Sequence, residues 1–398
     1  MKTRRRNFLE GAVALPAALG AVFGGGSAAQ ARVRRDLFGE LQVRPFINAA
    51  GTYTTYSGSL MRPEVMDAIN YASQHFVDVG ELHDAVGKRI ASLVGSQAAM
   101  VTAGAASALT LGTAATITGL DRLKIDQIPD LSGMKSEVII QKSHRFAYDH
   151  AIRNTGVRLV EVTSRTDLER SISEKTAAMF FLNYANNKGE IRDAEFVEIG
   201  KKAGIPTFND CAADVHPPEN ISKWVKMGFD LVCFSGGKAL MGPQSSGLLL
   251  GRQDLIAAAR ANNSPASSTI GRGMKVNKEE MLGMLVALES FLQRDHAKEW
   301  QEWERSATLI MDSVMSIPGV KAEMYLPEIF NHWPHIRVTW DEAKIAIKPA
   351  DLIRRMRAGE PPIAVWQGEN ALDIGVITLK PGEDKIVARR LKQELQIG

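Results

Sequence analysis

Cysteine is scarce in this sequence: only Cys211 and Cys233 occur among 398 residues. Both stand beside apolar, strand-like residues, so we expect two buried thiols, although an oxidising compartment would also permit a disulfide between them. Neither cysteine has the CxxC or HxxxH partner that a zinc motif requires. The sequence therefore predicts no metal site.

An excess of charge of one sign is also lacking. The chain carries 48 Lys and Arg residues against 45 Asp and Glu residues. The first 31 residues hold four basic residues and one acidic residue, so the remainder carries 44 of each sign. The slight basic excess therefore belongs to the N-terminal segment, and it does not predict a surface that binds nucleic acid.

Long hydrophobic runs are absent as well, since none reaches the roughly 20 residues of a membrane-spanning helix. The apolar run from Gly11 to Phe23 follows Arg4-Arg5-Arg6-Asn7-Phe8-Leu9 and precedes Ala29-Gln30-Ala31, which is the order of an export signal. The paired arginines resemble a twin-arginine signal, which carries folded proteins across a membrane. We expect cleavage after Ala31 and a periplasmic protein without a membrane anchor; a retained anchor is the alternative.

The middle of the chain alternates short apolar runs with polar helical patterns such as 194–203 and 221–227. Continuous apolar strands separated by helices predict an α/β fold with a mainly parallel sheet covered on both faces. The apolar runs are Val138–Ile140, Leu159–Val162, Ala177–Leu182, Ile205–Phe208, Leu231–Phe234 and Gly247–Leu250.

Helical patterns precede this block, and a change of character follows it. Residues 262–268 are polar and rich in helix breakers, which is typical of a linker. Beyond them, Met281, Leu285, Leu288 and Leu292 form one helical stripe, and 336–340 alternates like a half-buried strand. We therefore divide the chain into a signal at 1–31, an N-terminal arm at 32–75, a large domain at 76–262 and a small C-terminal α+β domain at 263–398. The helical patterns before the block are 62–93 and 103–118.

The segment Phe234-Ser235-Gly236-Gly237-Lys238 carries the strongest chemical signal. A lysine at the carboxyl end of a strand lies in the crevice where open α/β sheets bind ligands. The two glycines before it allow a bound group to approach closely, because they have no Cβ. A surface turn with a solvated lysine is the alternative for this tripeptide alone.

Three further features point to the same crevice. The segment Thr102-Ala103-Gly104-Ala105-Ala106-Ser107 opens a helix with small residues, and such a helix N-terminus suits a phosphate. Asp210 follows a strand and can keep a pyridine nitrogen protonated; a helix cap is the alternative for it. His144 also follows a strand and could lay its imidazole over a flat ring, although a polar loop residue is the ordinary reading.

Together these residues resemble the selenocysteine synthase (L-seryl-tRNA selenium transferase)-like and D-glucosaminate-6-phosphate ammonia-lyase-like family of fold-type-I pyridoxal-phosphate enzymes. The resemblance extends from Arg44 to about Lys278. It rests on Pro45–Thr52, Thr102–Ser107, Asp210–Ala213 and, above all, on the run Met227–Lys238 with its continuation Gly242–Gly247. It implies an aspartate aminotransferase-like fold, pyridoxal 5'-phosphate as cofactor, and a homodimer or higher homo-oligomer, with Gly242–Gly247 as the place where a neighbouring subunit would contribute.

The resemblance also implies roles for individual residues. Lys238 would hold the cofactor as a Schiff base, Asp210 would pair with the pyridinium, and His144 would stack on the ring. Arg272 and, in competition with it, Arg337 are the candidates for binding the substrate carboxylate, because a guanidinium matches a carboxylate bidentately; a surface salt bridge is the alternative for each. The implied phosphate ligands are Gly104, Ala105, Ala106, Ser107 and Ser235.

The predicted reaction is an α,β-elimination on a hydroxylated amino acid or amino-sugar acid, with Lys238 as the base for the Cα proton. A racemase, an epimerase or a retro-aldol lyase would use every residue named so far, and a non-catalytic exported carrier of the cofactor is a further alternative. Relatives act mostly in the cytoplasm, whereas an exported enzyme should meet unphosphorylated substrates.

Overall fold

The computed structural model describes residues 35–397, in two compact units that divide after Pro45. In the first unit, helix α1 (Leu37–Glu40) begins at Asp36, whose carboxylate accepts a hydrogen bond from the Gly39 N–H. The predicted export signal and its cleavage site lie outside the described residues. All elements named below belong to the second unit.

The strands of the second unit form a large sheet, a small sheet and one short parallel pair. The large sheet has seven strands in the order β2-β8-β7-β6-β5-β3-β4. The strands are β1 (Ile47–Asn48), β2 (Ala98–Thr102), β3 (Glu137–Gln141), β4 (Arg158–Val162), β5 (Thr176–Leu182), β6 (Thr207–Asp210), β7 (Leu231–Ser235), β8 (Gly247–Gly251), β9 (Val320–Tyr325), β10 (His335–Trp340), β11 (Ile363–Ala364), β12 (Trp366–Gly368) and β13 (Ala371–Gly375).

The large sheet is parallel except at β8, which runs antiparallel to both of its neighbours, β2 and β7. The remaining pairs, from β7 through β6, β5 and β3 to β4, are all parallel. The carboxyl ends of β2, β3, β5, β6 and β7 therefore meet at one edge of the sheet, together with the start of β8. This architecture confirms the predicted α/β fold with a mainly parallel central sheet.

In the large sheet, the apolar runs identified in the sequence coincide closely with strands, with one shift and one omission. Strand β6 begins at Thr207, two residues later than the predicted run. Pro206 has no N–H to give to a sheet, and the N–H of Ile205 bonds to the Gly200 carbonyl at the end of the preceding helix. Strand β2 was not predicted, because its sequence AAMVT is short and rich in alanine, which strands disfavour.

Helices cover both faces of the large sheet. The helical pattern predicted at 62–93 corresponds to two helices. The first ends at Ser73, and the second begins after Asp78, whose side chain accepts a hydrogen bond from the Glu81 N–H. The remaining helices are α2 (Pro63–Ser73), α3 (Val79–Val94), α4 (Gly104–Thr118), α5 (Arg122–Gln127), α6 (Asp149–Arg153), α7 (Arg165–Ser171), α8 (Asp193–Ala203), α9 (Asn220–Met227), α10 (Gln253–Ala261), α11 (Lys278–Gln293), α12 (His296–Met315), α13 (Pro349–Ala358) and α14 (Glu383–Ile397).

The hydrophobic cores divide the chain later than the predicted boundary at residue 262. The buried face of α11, including Met281 and Leu288, packs into a core of the large sheet. The core of the small sheet begins with α12 and also takes in Ile47 from the start of the second unit. Asn262 opens the predicted linker but is fully buried, and its amide donates to Thr118 Oγ1 at 2.8 Å.

Residues 35–397 contain neither a candidate membrane span nor a candidate metal site. None of the helices in this range is long and apolar enough to cross a membrane. Nor does the range contain a group of three or more His, Cys, Asp or Glu side chains placed to hold a metal ion. Cys211 and Cys233 are both buried free thiols, as predicted, and burial raises the pKa of each well above its usual value.

Candidate active site

The residues predicted to bind the cofactor gather at the carboxyl edge of the large sheet. Thr102 at the end of β2, Gly247 at the start of β8 and Ser235 at the end of β7 form one row of strand partners. Asp210 ends the next strand, β6, where it lies beside Cys233 of β7 and Leu182 of β5. The sheet therefore brings the predicted phosphate and ring ligands to adjacent strand ends.

The start of helix α4 forms a cup of free backbone N–H groups. Ala103 caps this helix without any side-chain hydrogen bond, so the first N–H groups stay available for an anion. A Cβ at Gly247 would lie 2.5 Å from the Gly104 carbonyl carbon and 2.8 Å from the Ala105 nitrogen. Glycine at this position lets β8 pass directly against the cup. The Ser107 hydroxyl donates to the Ala103 carbonyl at 2.7 Å, so it would have to turn in order to donate to a phosphate.

Lys238 stands on the connection between β7 and β8, and its backbone is tightly held. The Ser59 hydroxyl donates to the Lys238 carbonyl at 2.7 Å, and the Ser59 N–H donates to the Gly237 carbonyl at 2.9 Å. A Cβ at Gly237 would lie 2.4 Å from Gln244 Cα, so no larger residue fits there without a shift of the backbone. Gly236 and Gly237 were predicted to allow a bound group to approach closely. In the structure they allow other parts of the chain to approach closely instead.

The amine of Lys238 has no hydrogen-bond or ion-pair partner within residues 35–397, and its Nζ lies 5.6 Å from the centroid of the Phe330 ring. Burial lowers the pKa of Lys238, while the charges of Asp210 and Asp214 act in the opposite direction. A buried amine that is held near carboxylates but bonded to none of them is well placed for covalent chemistry.

Asp210 is almost fully buried, and one of its oxygens is free of protein partners. Oδ1 accepts hydrogen bonds from the Ala212 N–H at 3.0 Å and from Cys233 Sγ at 3.6 Å. Within the described part of the chain, Oδ2 accepts none. Burial raises the pKa of Asp210, whereas the backbone hydrogen bond from Ala212 and the charge of Lys238 lower it. A positive group close to Oδ2 would therefore be stabilised.

These features fit pyridoxal phosphate. The cup at Gly104–Ser107 offers N–H donors for the phosphate, the free oxygen of Asp210 suits a protonated ring nitrogen, and the unbonded amine of Lys238 suits the aldehyde carbon. Each group was predicted from the sequence, and the sheet edge brings them together.

His144 is the predicted residue whose role the structure leaves open. Its ring is fully buried. Its Nδ1 accepts the Leu182 N–H at 3.1 Å, and its Nε2 lies 3.2 Å from the Gln141 amide nitrogen. The ring of Phe181 contacts it edge-on, with centroids 4.5 Å apart. Burial lowers the pKa of His144 to about 4. Stacking on a cofactor ring, which needs an open face, stays a prediction.

The structure adds one carboxylate that the sequence analysis missed. Asp214 is 3% exposed, and it accepts a hydrogen bond from the Phe330 N–H at 2.8 Å. Burial raises its pKa to about 6, and the charge of Asp210 acts in the same direction. The available signal was a second aspartate four residues after Asp210 in a run of small residues, but such a residue also reads as a turn.

The two arginines predicted to bind the substrate carboxylate have other partners. Arg337 forms a bidentate salt bridge with Asp373, with Nε–Oδ1 at 2.9 Å and Nη2–Oδ2 at 2.8 Å. The edge of the Arg337 guanidinium that was predicted to bind the substrate carboxylate therefore already binds Asp373. Arg272 is half-buried, and its Nη1 lies 3.4 Å from Ser264 Oγ. No described contact joins either arginine to Lys238 or Asp210, so their predicted role remains untested.

The sequence is similar to one protein family and to several known proteins. The sequence model of the L-seryl-tRNA selenium transferase family matches residues 46–311. D-glucosaminate-6-phosphate ammonia lyase of Salmonella typhimurium is 30% identical over 90% of this chain and 97% of its own length. A 5'-C-glycyluridine monooxygenase-decarboxylase of a Streptomyces species is also 30% identical, over 89% and 91% of the two chains. The L-seryl-tRNA(Sec) selenium transferase of Moorella thermoacetica is 24% identical over 90% and 83%.

Solved structures give the same fold. A D-glucosaminate-6-phosphate ammonia-lyase superposes with a TM-score of 0.80 at 29% identity, over 91% of this chain and 99% of that one. A serine palmitoyltransferase of Sphingomonas wittichii reaches 0.56 at 13% identity, over 89% and 88% of the two chains. The second likeness supports the aminotransferase-like fold alone.

Proposed function

This chain belongs to the L-seryl-tRNA selenium transferase family of pyridoxal-phosphate-dependent enzymes, and we propose that it is a lyase of hydroxylated amino-sugar acids. The observation that carries the proposal is the unbonded amine of Lys238 beside the buried carboxylates of Asp210 and Asp214. The similarity to D-glucosaminate-6-phosphate ammonia lyase along nearly the whole chain supports elimination as the reaction.

The proposed reaction removes water across Cα and Cβ of a 2-amino-3-hydroxy acid. The Cα–H and Cβ–O bonds break, the resulting enamine takes a proton at Cβ and loses one from nitrogen to become an imine, and hydrolysis of the C=N bond gives a 2-keto-3-deoxy acid and ammonia. The water that is lost balances the water that hydrolysis consumes, so no oxidant or reductant is needed. When bound, pyridoxal phosphate supplies a sink for the electrons left at Cα.

The chain's own residues supply the remaining steps. The N–H groups of Gly104–Ser107 would bind the phosphate of pyridoxal phosphate. Asp210 would pair with the protonated ring nitrogen, since a buried carboxylate is stabilised by a positive partner. The pKa of Lys238 is lowered by burial, so its neutral amine can take the Cα proton and later deliver a proton to the departing hydroxyl.

Reduction with borohydride followed by peptide mapping tests the covalent assignment. We expect the cofactor tag on the peptide that contains Lys238, and we expect Lys238→Ala to lose the visible absorbance of the Schiff base. A tag on another lysine, or unchanged absorbance in the variant, would remove the basis of the proposal. Lys223→Ala is a matched control, because Lys223 lies on α9 with its Nζ over the Trp224 ring.

Product analysis separates the candidate reactions. Keto acid and ammonia in equal amounts support elimination, whereas exchange of solvent deuterium into Cα of an otherwise intact amino acid supports a racemase or epimerase. Release of an aldehyde supports a retro-aldol lyase. The 30% identity to a monooxygenase-decarboxylase favours one further arm, in which oxygen consumption and carbon dioxide are recorded. Any of the last three outcomes overturns the proposed elimination.

We also propose export by the twin-arginine route and function in the periplasm. The sequence Arg5-Arg6-Asn7-Phe8-Leu9 supports this proposal. Replacing Arg5 and Arg6 together by lysine should leave the protein, with its cofactor, in the cytoplasm. Fractionation of cells that produce either form measures this, and equal periplasmic amounts would contradict the proposal.

We further propose that the enzyme is a homodimer. The support is a set of exposed apolar side chains at the end of α2 and in the turn between α2 and α3, among which Phe76 is fully exposed, Tyr71 is 63% exposed and Val77 is 48% exposed. Large apolar groups exposed together are typical of an interface. Sedimentation should give twice the chain mass, and Phe76→Asp should lower it; a monomeric wild type would refute the dimer.

A further inference from the structure

A small cavity lies next to Lys238, against the small sheet. Its volume is about 200 Å³, below the roughly 300–1,000 Å³ of pockets for drug-sized ligands. Its walls are largely aromatic and include Tyr53, Tyr325 and Trp366. Its size fits a short chain of hydroxylated carbons and excludes a nucleotide.

Two residues that line the cavity connect it with Lys238. Phe330 lines the cavity, and its ring centroid lies 5.6 Å from Lys238 Nζ. Tyr53 also lines the cavity, and its segment continues to Ser59, whose hydroxyl donates to the Lys238 carbonyl. The tail of an amino acid bound at Lys238 can therefore extend past Phe330 into this space.

The aromatic walls are held by ring stacking. Tyr53 and Trp366 stack with centroids 4.0 Å apart and an interplanar angle of 12°. Tyr325 and His335 stack at 5.3 Å and 25°. Burial raises the pKa of Tyr325 to about 12, so its hydroxyl stays a neutral donor and acceptor. Flat rings together with phenol hydroxyls suit a chain that alternates C–H and O–H groups.

The charge of the cavity is the decisive feature. Asp373 is its one carboxylate, and no lysine or arginine is among the residues of 35–397 that line it. Arg337 contacts Asp373 but does not line the cavity, and its guanidinium lies 4.9 Å from the Tyr325 ring centroid. A phosphate group in the cavity would lie near the Asp373 carboxylate, and the neighbouring cation, Arg337, is already engaged by that carboxylate, so the residues of 35–397 that line the cavity offer a phosphate no cation.

We propose that this cavity binds the uncharged polyhydroxyl tail of the substrate, and that Asp373 accepts hydrogen bonds from the tail and rejects a phosphate ester. The inference rests on the amino-acid lyase activity proposed above and narrows its substrate class to unphosphorylated amino-sugar acids. Each oxygen of Asp373 accepts one hydrogen bond from Arg337, so lone pairs remain for substrate hydroxyls.

The test compares three probes on the holoenzyme: D-glucosaminate, D-glucosaminate 6-phosphate and serine of both configurations. Binding is measured from the absorbance change of the bound cofactor, and turnover from the release of keto acid and ammonia. We expect D-glucosaminate to bind at least about tenfold more tightly than its phosphate ester and than serine. Equal or tighter binding of the phosphate ester would overturn the inference.

Two variants locate the effect. Asp373→Asn should weaken D-glucosaminate at least about tenfold, weaken serine much less, and reduce the discrimination against the phosphate ester, because the charge of Arg337 is then uncompensated. Glu323→Gln is the matched control, since Glu323 lies opposite Arg337 on β9 but does not line the cavity. It should change none of the three affinities by more than about twofold. An equal loss for all probes in Asp373→Asn would show a merely structural role and refute the proposal.

The two readouts keep this inference separate from the proposed reaction. If D-glucosaminate binds selectively but no probe releases keto acid and ammonia, the elimination is wrong and the cavity assignment stands. If serine or the phosphate ester is eliminated faster and bound more tightly than D-glucosaminate, the cavity assignment is wrong and the elimination stands.

Discussion

Asp214 accepts a hydrogen bond of 2.8 Å from the backbone N–H of Phe330, across 116 residues of chain. A second bond, from the Asn331 N–H to the Ala213 carbonyl at 3.2 Å, joins the same two loops. Phe330 and Asn331 both have positive φ angles, of 65° and 54°, which non-glycine residues adopt only when surrounding contacts enforce them. The loop after β6 therefore fixes the position of the Phe330 ring beside Lys238.

Replacing Asp214 separates its charge from its hydrogen bond. Asp214→Ala should lower the free energy of unfolding by about 1–3 kcal/mol, because the Phe330 N–H loses its partner, and kcat/KM should fall by at least about tenfold as the ring is released.

Asp214→Asn keeps an oxygen acceptor but no charge. Since the charge raises the pKa of Lys238, a spectral pH titration of the Schiff base in this variant should shift to lower pH. Asp254→Asn, on an exposed ion pair, should shift neither quantity; an unshifted titration in Asp214→Asn would contradict the electrostatic role.

Asp210→Asn should retain the cofactor and lose most activity. An amide cannot hold the proton on the ring nitrogen, so we expect kcat to fall by about 10²-fold or more. Absorbance of the bound cofactor and steady-state kinetics measure the two effects separately. Full activity in this variant would remove Asp210 from its assigned role.

Gly237→Ala should weaken cofactor binding and destabilise the fold. The added Cβ meets the backbone of Gln244 at 2.4 Å, so the Lys238 turn must shift, at a cost of about 1–3 kcal/mol. Gly273→Ala is the control, because nothing lies within 4 Å of its added Cβ. Thermal unfolding and cofactor titration should separate the two variants, and equal behaviour would mean that the turn is not tightly packed.

His216 should make the fold sensitive to acid. Burial, with smaller contributions from His296 and Arg294, lowers its pKa from 6.5 to about 3. Between these two values the unfolded chain binds a proton that the folded chain does not, so stability is lost as the pH falls, by about 1.4 kcal/mol per unit. His216→Phe removes this proton, and the variant should gain on the wild type by about 3 kcal/mol between pH 6.5 and pH 4.

Urea unfolding at pH 7.5, 5.5 and 4 measures this gain. The ring of His216 packs edge-on against Phe291 and Trp303, so a phenyl ring should be accommodated. His75→Phe, in the exposed loop after α2, is the control for introducing a phenyl ring at a histidine position. A difference between His216→Phe and wild type that does not vary with pH would contradict the assignment.

The sequence was sufficient to place Lys238 and Asp210 at one edge of the sheet, because Lys238 follows one apolar strand, Asp210 ends another, and the carboxyl ends of parallel strands meet. It was insufficient for Asp214, because an aspartate in a loop looks the same whether it caps a turn or faces a ligand. It also could not pair Arg337 with Asp373, since these residues meet only through the register of β10 and β13. Strand β2 was not predicted, because its strand character comes from burial between a helix and β8, rather than from its own residues.

The single antiparallel strand in the large sheet has a consequence for how the cofactor and the fold depend on each other. Because β8 begins at Gly247 against the cup at Gly104, the connection that carries Lys238 returns to that cup, and a cofactor bound as proposed would be held by parts of the chain that are 134 residues apart in sequence. Unfolding would then have to break both attachments, so the bound cofactor would stabilise the folded state. A protein exported in its folded state would already hold the cofactor in this way.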